Sequence, residues 1–374
     1  MQILAVDIGT GTQDVLLFDS NRSPENCLKL VMPSPTLRVA SQIRAATLAR
    51  KALLLTGVLM GGGPSSWATE DHHRAGQPIY ATPAAARSFN DDLEAVRRDL
   101  GIEIVDEVEA GRLAARPNVA PVLMRDFSYA AIRQAFAAFG LDLQPDAVII
   151  AVFDHGDAPP DVSDRQFRLD YLAQRLQANS RLSTFAFVAQ AVPPIMTRLQ
   201  AVVDSSQDVN AQLLVMDTAP AAVLGAQCDP SVAAHADAMI VNVGNFHCLA
   251  FQYRQGQVMR LFEHHTGLLD RNQLERWLRR LADGTISHQQ VFAEHGHGAL
   301  VLDSTPAPLD FVAVTGPRRA MFTQSDLPIA FAVPYGDQML AGAWGMIRAV
   351  ADLLPNWAEE IITALMSEED RSLW

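Results

Sequence analysis

The chain has 374 residues, 49% of them hydrophobic and 19% charged, so it can bury a large core, is too apolar for disorder and is expected to form two domains. Its net charge of −13 speaks against nucleic acid, whose binding rests on clustered Lys and Arg. The only lysines, Lys29 and Lys51, lie outside the glycine turns, which weighs against P-loop and Schiff-base chemistry.

Cys27, Cys228 and Cys248 are few and far apart, with no disulfide framework or thiolate zinc motif, which suits a reducing cytoplasm. Met1 leads almost at once into a strand, and no apolar run approaches the roughly 20 residues that span a bilayer. The expectation is a cytoplasmic protein with no signal peptide and no membrane partner.

Residues 3–19 read as two strands joined by a tight turn, in which Gly9 and Gly11 are free to take positive φ. Successive N–H groups of such a turn, with the hydroxyls of Thr10 and Thr12, form a concave donor array that suits phosphate. Asp7 at the strand end suits a hydrated Mg²⁺, which prefers oxygen ligands. The same pattern also describes an ordinary hairpin. A third strand is expected at 27–32, a helix at 36–51, and a buried strand at 53–60 ending in Gly61-Gly62-Gly63-Pro64. Residues 83–100 read as one amphipathic helix, with Arg87, Asp91, Asp92, Arg97 and Arg98 on its wet side. Another helix spans 127–140.

The apolar run 147–153 has the pattern of a parallel strand buried on both faces, and ends in Asp154-His155-Gly156-Asp157. Ligands of open α/β sheets bind at such carboxyl ends. Helices at 166–177 and 194–203 follow, then a strand at 213–216. After it comes Asp217-Thr218-Ala219-Pro220, where Asp217 or Thr218 caps a helix of small residues. Strands at 238–243, 247–253 and 258–263 repeat the first meander, with Asn242, Gly244, Asn245 and His247 in the turn. A helix at 271–282, a strand at 311–314 ending in Thr315-Gly316-Pro317, a small-residue helix after Gly336-Asp337 and a solvated tail at 359–370 complete the chain.

Asp7-Ile8-Gly9-Thr10-Gly11-Thr12 resembles the first phosphate motif of the actin, heat-shock chaperone and sugar kinase superfamily. The later segments resemble its first connecting helix, second phosphate motif, adenosine motif and second connecting helix, in order. The resemblance implies an α/β chain of two ribonuclease H-like lobes with an interlobe cleft, an actin-like ATPase fold. The lobes would span 1–230 and 231–374, with their boundary near 226–237. It implies ATP or ADP with Mg²⁺ as cofactors. Gly9, Thr10, Gly11, Thr12, Asn242, Gly244, Asn245 and Gly316 would hold the nucleotide, and Asp7 the metal.

Sugar kinases of this superfamily place their base just before the connecting helix, which implies Asp217. Asp154 is the second candidate and Asp337 the third, and for Asp217 the plain helix cap stays open. Asn242 and the single Gly244 depart from the superfamily pattern and put ATP turnover, though not nucleotide binding, in question. Two classes stand: a small-molecule kinase or ATPase, and a non-catalytic nucleotide or metabolite binder serving a protein partner. The small-molecule substrate is not identified by the sequence.

The Gly-Gly-Gly-Pro, Asp-His-Gly and Glu-His-His-Thr-Gly segments resemble a prokaryotic family labelled pyruvate formate-lyase activating enzyme. That label implies an iron–sulfur cluster on a tight cysteine trio. The nearest pair here, Cys228 and Cys248, is 20 residues apart, so the radical chemistry is not expected. His72-His73, His155 and His264-His265 are candidates for a shared metal or anion site. Arg165 and Arg168 read either as a substrate clamp or as a wet helix face.

Overall fold

The computed structural model of the chain describes residues 1–366. The chain opens with an antiparallel meander, β1 (Gln2–Ile8), β2 (Thr12–Asp19) and β3 (Leu28–Pro33). It then leaves for a separate parallel sheet of β4 (Ala52–Gly57), β5 (Ile79–Ala81), β6 (Ile102–Ile104) and β7 (Val119–Met124), in the order β6-β5-β4-β7. On its return it adds β8 (Ala147–Val152), β9 (Ala186–Val188) and β10 (Gln212–Asp217), giving a first six-stranded sheet in the order β3-β2-β1-β8-β10-β9. All six residues of β8 are buried between parallel β1 and β10, which is why that run is continuously apolar.

A second six-stranded sheet follows from β11 (Asp237–Val243), β12 (His247–Arg254), β13 (Gln257–His265), β14 (Gly298–Val301), β15 (Val312–Thr315) and β16 (Ile329–Phe331), ordered β14-β13-β12-β11-β15-β16. The run β13-β12-β11-β15-β16 repeats β3-β2-β1-β8-β10 strand for strand: two antiparallel pairings, then two parallel ones. Two such sheets with helices between them are the two ribonuclease H-like lobes of an α/β, actin-like fold.

The lobes meet through the helices Thr218–Ala226 and Ala341–Leu353. A side chain on Gly225 would collide with the Ala341 backbone, and one on Gly345 with the Ala221 carbonyl. Small residues here are therefore a requirement of backbone-to-backbone packing. The main core includes residues of both sheets and of Ala341–Leu353, among them Val6, Ile150, Phe251 and Trp344. Further cores lie under Trp277 on the second sheet and inside the inserted sheet.

Three expectations change. Residues 83–100 are two helices, Pro83–Ala86 and Leu93–Leu100, because Asp92 accepts from the Glu94 N–H at 2.9 Å and starts the second one afresh. Strands β5, β6, β7, β9, β14 and β16 were not expected: β5, β6, β9 and β16 have three residues each, too few to show a periodicity. The expected solvated tail begins as a helix, Pro355–Met366, with Ile361 and Ala364 buried; the rest of that stretch lies outside the described residues. Among the described residues, no helix is long and apolar enough to cross a membrane.

Candidate functional site

One cavity of about 1120 Å³ lies between the two sheets and the inserted one. Asp7, Gly9, Thr10, Gly11 and Thr12 line it from the first sheet, and Asn242, Gly244, Asn245 and Gly316 from the second. The two turns approach closely: a Cβ on Gly11 would sit 3.3 Å from Asn245 Nδ2. Gly9 and Gly11 do not take positive φ, contrary to expectation. The Gly9 N–H donates to the Thr12 carbonyl at 2.9 Å in an ordinary tight connection, and the space Gly11 leaves is taken by the opposite lobe. Gly316 does have positive φ (95°), seated on the Val243 carbonyl where a side chain would not fit.

Asp7 and Asp14 face one another in register across β1 and β2, both buried and both on the cavity wall. Asp7 Oδ1 accepts from Thr218 Oγ1 at 2.5 Å. Burial pushes the Asp7 carboxyl up to about 6, against the Thr218 bond. Burial and then the charge of Asp7 push Asp14 up to about 8. Asp14 Oδ1 is buried with no hydrogen-bond partner. Two adjacent carboxylates with an orphaned oxygen fit a divalent cation that prefers oxygen ligands, and Mg²⁺ suits the donor set.

The candidate bases separate. Asp217 lies off the cavity wall: its Oδ1 accepts from the Ala219 N–H at 3.1 Å as the cap of Thr218–Ala226, and its Oδ2 accepts from Arg168 Nη1 at 2.6 Å. Asp154 is on the wall, accepting from the Gly156 and Leu199 N–H groups at 2.8 and 2.9 Å, and burial raises its pKa. Asp337 lies off the wall and caps the turn at Met339.

Arg168 is 1% exposed, so the wet-face reading of Arg165 and Arg168 fails, and so does the clamp. Arg168 Nε donates to Glu263 Oε1 at 2.8 Å, Nη1 to the Asp154 carbonyl at 2.6 Å, and its guanidinium lies 3.7 Å from the Phe153 ring centroid. Burial alone would lower its pKa; Asp217 and Glu263 outweigh that and hold it charged. Arg165 donates to the carbonyls of Gly296 and Phe292.

The histidines divide as well. Buried His72 bonds Thr47 Oγ1 at 2.8 Å, and both ring nitrogens of His264 lie 3.1 Å from backbone carbonyls, so neither joins a shared site. His155 and His265 converge, but with His247 and His297. Three other wall residues were not singled out in the sequence: Asp14, Asp126 and Arg198. Asp91, expected on the wet side of a helix, stands on the cavity wall instead. Arg198 clamps Asp126 with Nε and Nη2 at 2.8 and 3.1 Å, and Asp126 also accepts from Gly61 N–H. A side chain on Gly61 would strike that guanidinium, so this first glycine of the run serves the anchor.

The family model described as "Putative pyruvate format-lyase activating enzyme (DUF1786)" matches residues 60–321. The chain belongs to that family. No curated protein matches it. Similar solved structures include the inorganic polyphosphate/ATP-glucomannokinase of Arthrobacter sp. strain KM, at 12% identity and a TM-score of 0.37, covering 95% of this chain and 99% of that one. Another is the activator of 2-hydroxyisocaproyl-CoA dehydratase from Clostridium difficile, solved with bound ADPNP, at 9% identity and a TM-score of 0.32, covering 96% and 98%. Both scores fall below 0.5, and the fold assignment rests on the repeated strand order of the two sheets. The residues do not fit the iron–sulfur chemistry in the family's description: Cys27 packs with the first sheet's core, Cys248 lies in β12, and Cys228 follows the first connecting helix. The one group of three or more His, Cys, Asp or Glu placed to hold a metal, among the described residues, contains no cysteine.

Proposed function

We propose that the interlobe cavity binds the phosphates of ATP or ADP with Mg²⁺, and that the protein is an ATP-dependent small-molecule kinase or ATPase with lobes 1–230 and 231–374. The observation that carries this reading is the pair of opposed turns, Gly9–Thr12 and Gly244–Asn245, above the buried Asp7–Asp14 pair in one cavity. Thr10 and Thr12 hydroxyls and turn N–H groups bind the phosphate oxygens, and the adenosine lies toward Gly316. Asp7 and Asp14 hold the Mg²⁺, which when bound neutralises phosphate charge. Asp154 replaces Asp217 as the preferred base, because of the two it stands on the wall.

A thermal-shift panel with ATP, ADP and Mg²⁺ tests binding. A ligand held only by the native state stabilises it by about 2.7 kcal/mol at 100 times Kd. Turnover is tested on a panel of hydroxylated and carboxylated metabolites, where Asp154→Asn should cut it roughly 10²–10⁴-fold.

One observation favours a second reading. Asp217, at the superfamily's base position, is committed to Arg168 and to its helix cap. A non-catalytic nucleotide or metabolite binder serving a protein partner accords with that. Clear nucleotide binding with turnover equal to a protein-free control would select it.

A further inference from the structure

At the edge of the same cavity, two of its wall residues and one buried behind them form a second cluster that the nucleotide reading does not use. His155 follows β8 of the first sheet, His247 begins β12, and His297 precedes β14 of the second. We propose that His155, His247 and His297 form a site for one divalent transition-metal ion of the zinc class, bridging the two lobes. One nitrogen from each ring lies within 4.8 Å of the others. Tetrahedral ligands at zinc distances are about 3.4 Å apart, so small ring rotations close the set.

The orphaned nitrogens point the same way. His297 is fully buried with neither Nδ1 nor Nε2 hydrogen-bonded, and His247 Nε2 is likewise buried and unpartnered. A buried polar atom without a partner costs free energy, and a metal bond would satisfy it. Phe153 stacks on His247 at 4.0 Å and 9° and fixes its plane, while the Glu263 carboxylate, held by Arg168, lies 3.9 Å from His297 Nε2, beyond hydrogen-bond distance. His265 stands within reach as a fourth imidazole, its ring centre 4.7 Å from that of His297. His155 and His247 open onto the cavity, so the ion would face it with a free position, the arrangement of three-histidine sites that take a water or an anionic oxygen.

The site stands independently of the nucleotide and is tested without one. The full chain, stripped with chelator, is titrated with Zn²⁺ by calorimetry and with Co²⁺ by visible absorption. The expected result is one ion per chain, with affinity more than about 100-fold weaker in His155→Gln and His247→Gln, beyond the 10–100-fold of a lost outer-shell partner. Binding should be unchanged in the exposed control His235→Gln. X-ray absorption on the zinc-loaded wild type, which needs no variant to fold, should count three or four imidazole nitrogens. Absent stoichiometric uptake, undiminished uptake in both variants, or fewer than three imidazoles would overturn the proposal.

Discussion

Arg168 and Asp217 form an ion pair at 2.6 Å with the arginine 1% exposed, and Glu263 of the second sheet binds the same guanidinium. The carboxyl end of β10, the Asp154 carbonyl and β13 are thus tied by one side chain. Removing the cation leaves two buried acids uncompensated. Arg168→Met should therefore cost about 3–5 kcal/mol in chemical denaturation. Asp217→Asn should cost less, since Asn caps about as well and Glu263 still neutralises the arginine. Equal stability of Arg168→Met and wild type would contradict this account of the lobe contact.

The Asp7–Asp14 pair makes an opposite forecast for the metal-free protein. Two buried carboxylates repel, so Asp14→Asn should raise the melting temperature in chelator. In the same variant the stabilisation by Mg²⁺ with nucleotide should shrink. A lower melting temperature in chelator, with the Mg²⁺ effect intact, would mean that Asp14 holds some other partner.

The pair was legible in part. Once the turn is placed at residues 9–11, antiparallel pairing puts Asp7 opposite Asp14, though only Asp7 was singled out. The strands of both meanders, and the connecting helix after Asp217, follow from alternation and capping. His297 was not legible: it sits outside any motif, and its neighbours in the cluster come from residues 155, 247 and 265 of the chain. Arg168 misled for a related reason. On its own helix it belongs to a polar pattern, and only the folded chain brings two acids and Phe153 around it. Strand β5 is set by pairing with β4, and β6 by pairing with β5, long-range terms that three residues do not encode.

Gly342 separates packing from function. A Cβ there would run into Asp7 Oδ2. Gly342→Ala should displace Asp7 and weaken Mg²⁺-dependent nucleotide binding by more than it lowers metal-free stability. Gly225→Ala, which strikes the Ala341 backbone at the helix crossing, should instead destabilise by about 1–3 kcal/mol or more. Calorimetric titration and denaturation of both variants check the contrast, and identical profiles would refute it.

Asp91, in the break between Pro83–Ala86 and Leu93–Leu100, faces the cavity, with Asp157 and Asp164 close enough to act on its charge. Burial, then those acids, raise its pKa from 3.8 to about 6. The folded chain thus keeps a proton that the unfolded chain has released, so this residue's contribution to stability falls as pH rises from about 4 to 6. Asp91→Asn should remove that fall and give a higher melting temperature at pH 7. Unchanged pH dependence in the variant would place the titration elsewhere.

The central claim is that the cavity between the lobes holds a nucleotide on the turns Gly9–Thr12 and Gly244–Asn245. Calorimetric titration of the wild-type chain with ATP and ADP, each with and without Mg²⁺, tests it most directly, with Asp7→Asn run alongside. The expected result is one nucleotide per chain, tighter with Mg²⁺, and loss of the Mg²⁺ advantage in Asp7→Asn. Neither heat nor a shift in melting temperature at millimolar ATP or ADP with Mg²⁺ would contradict it.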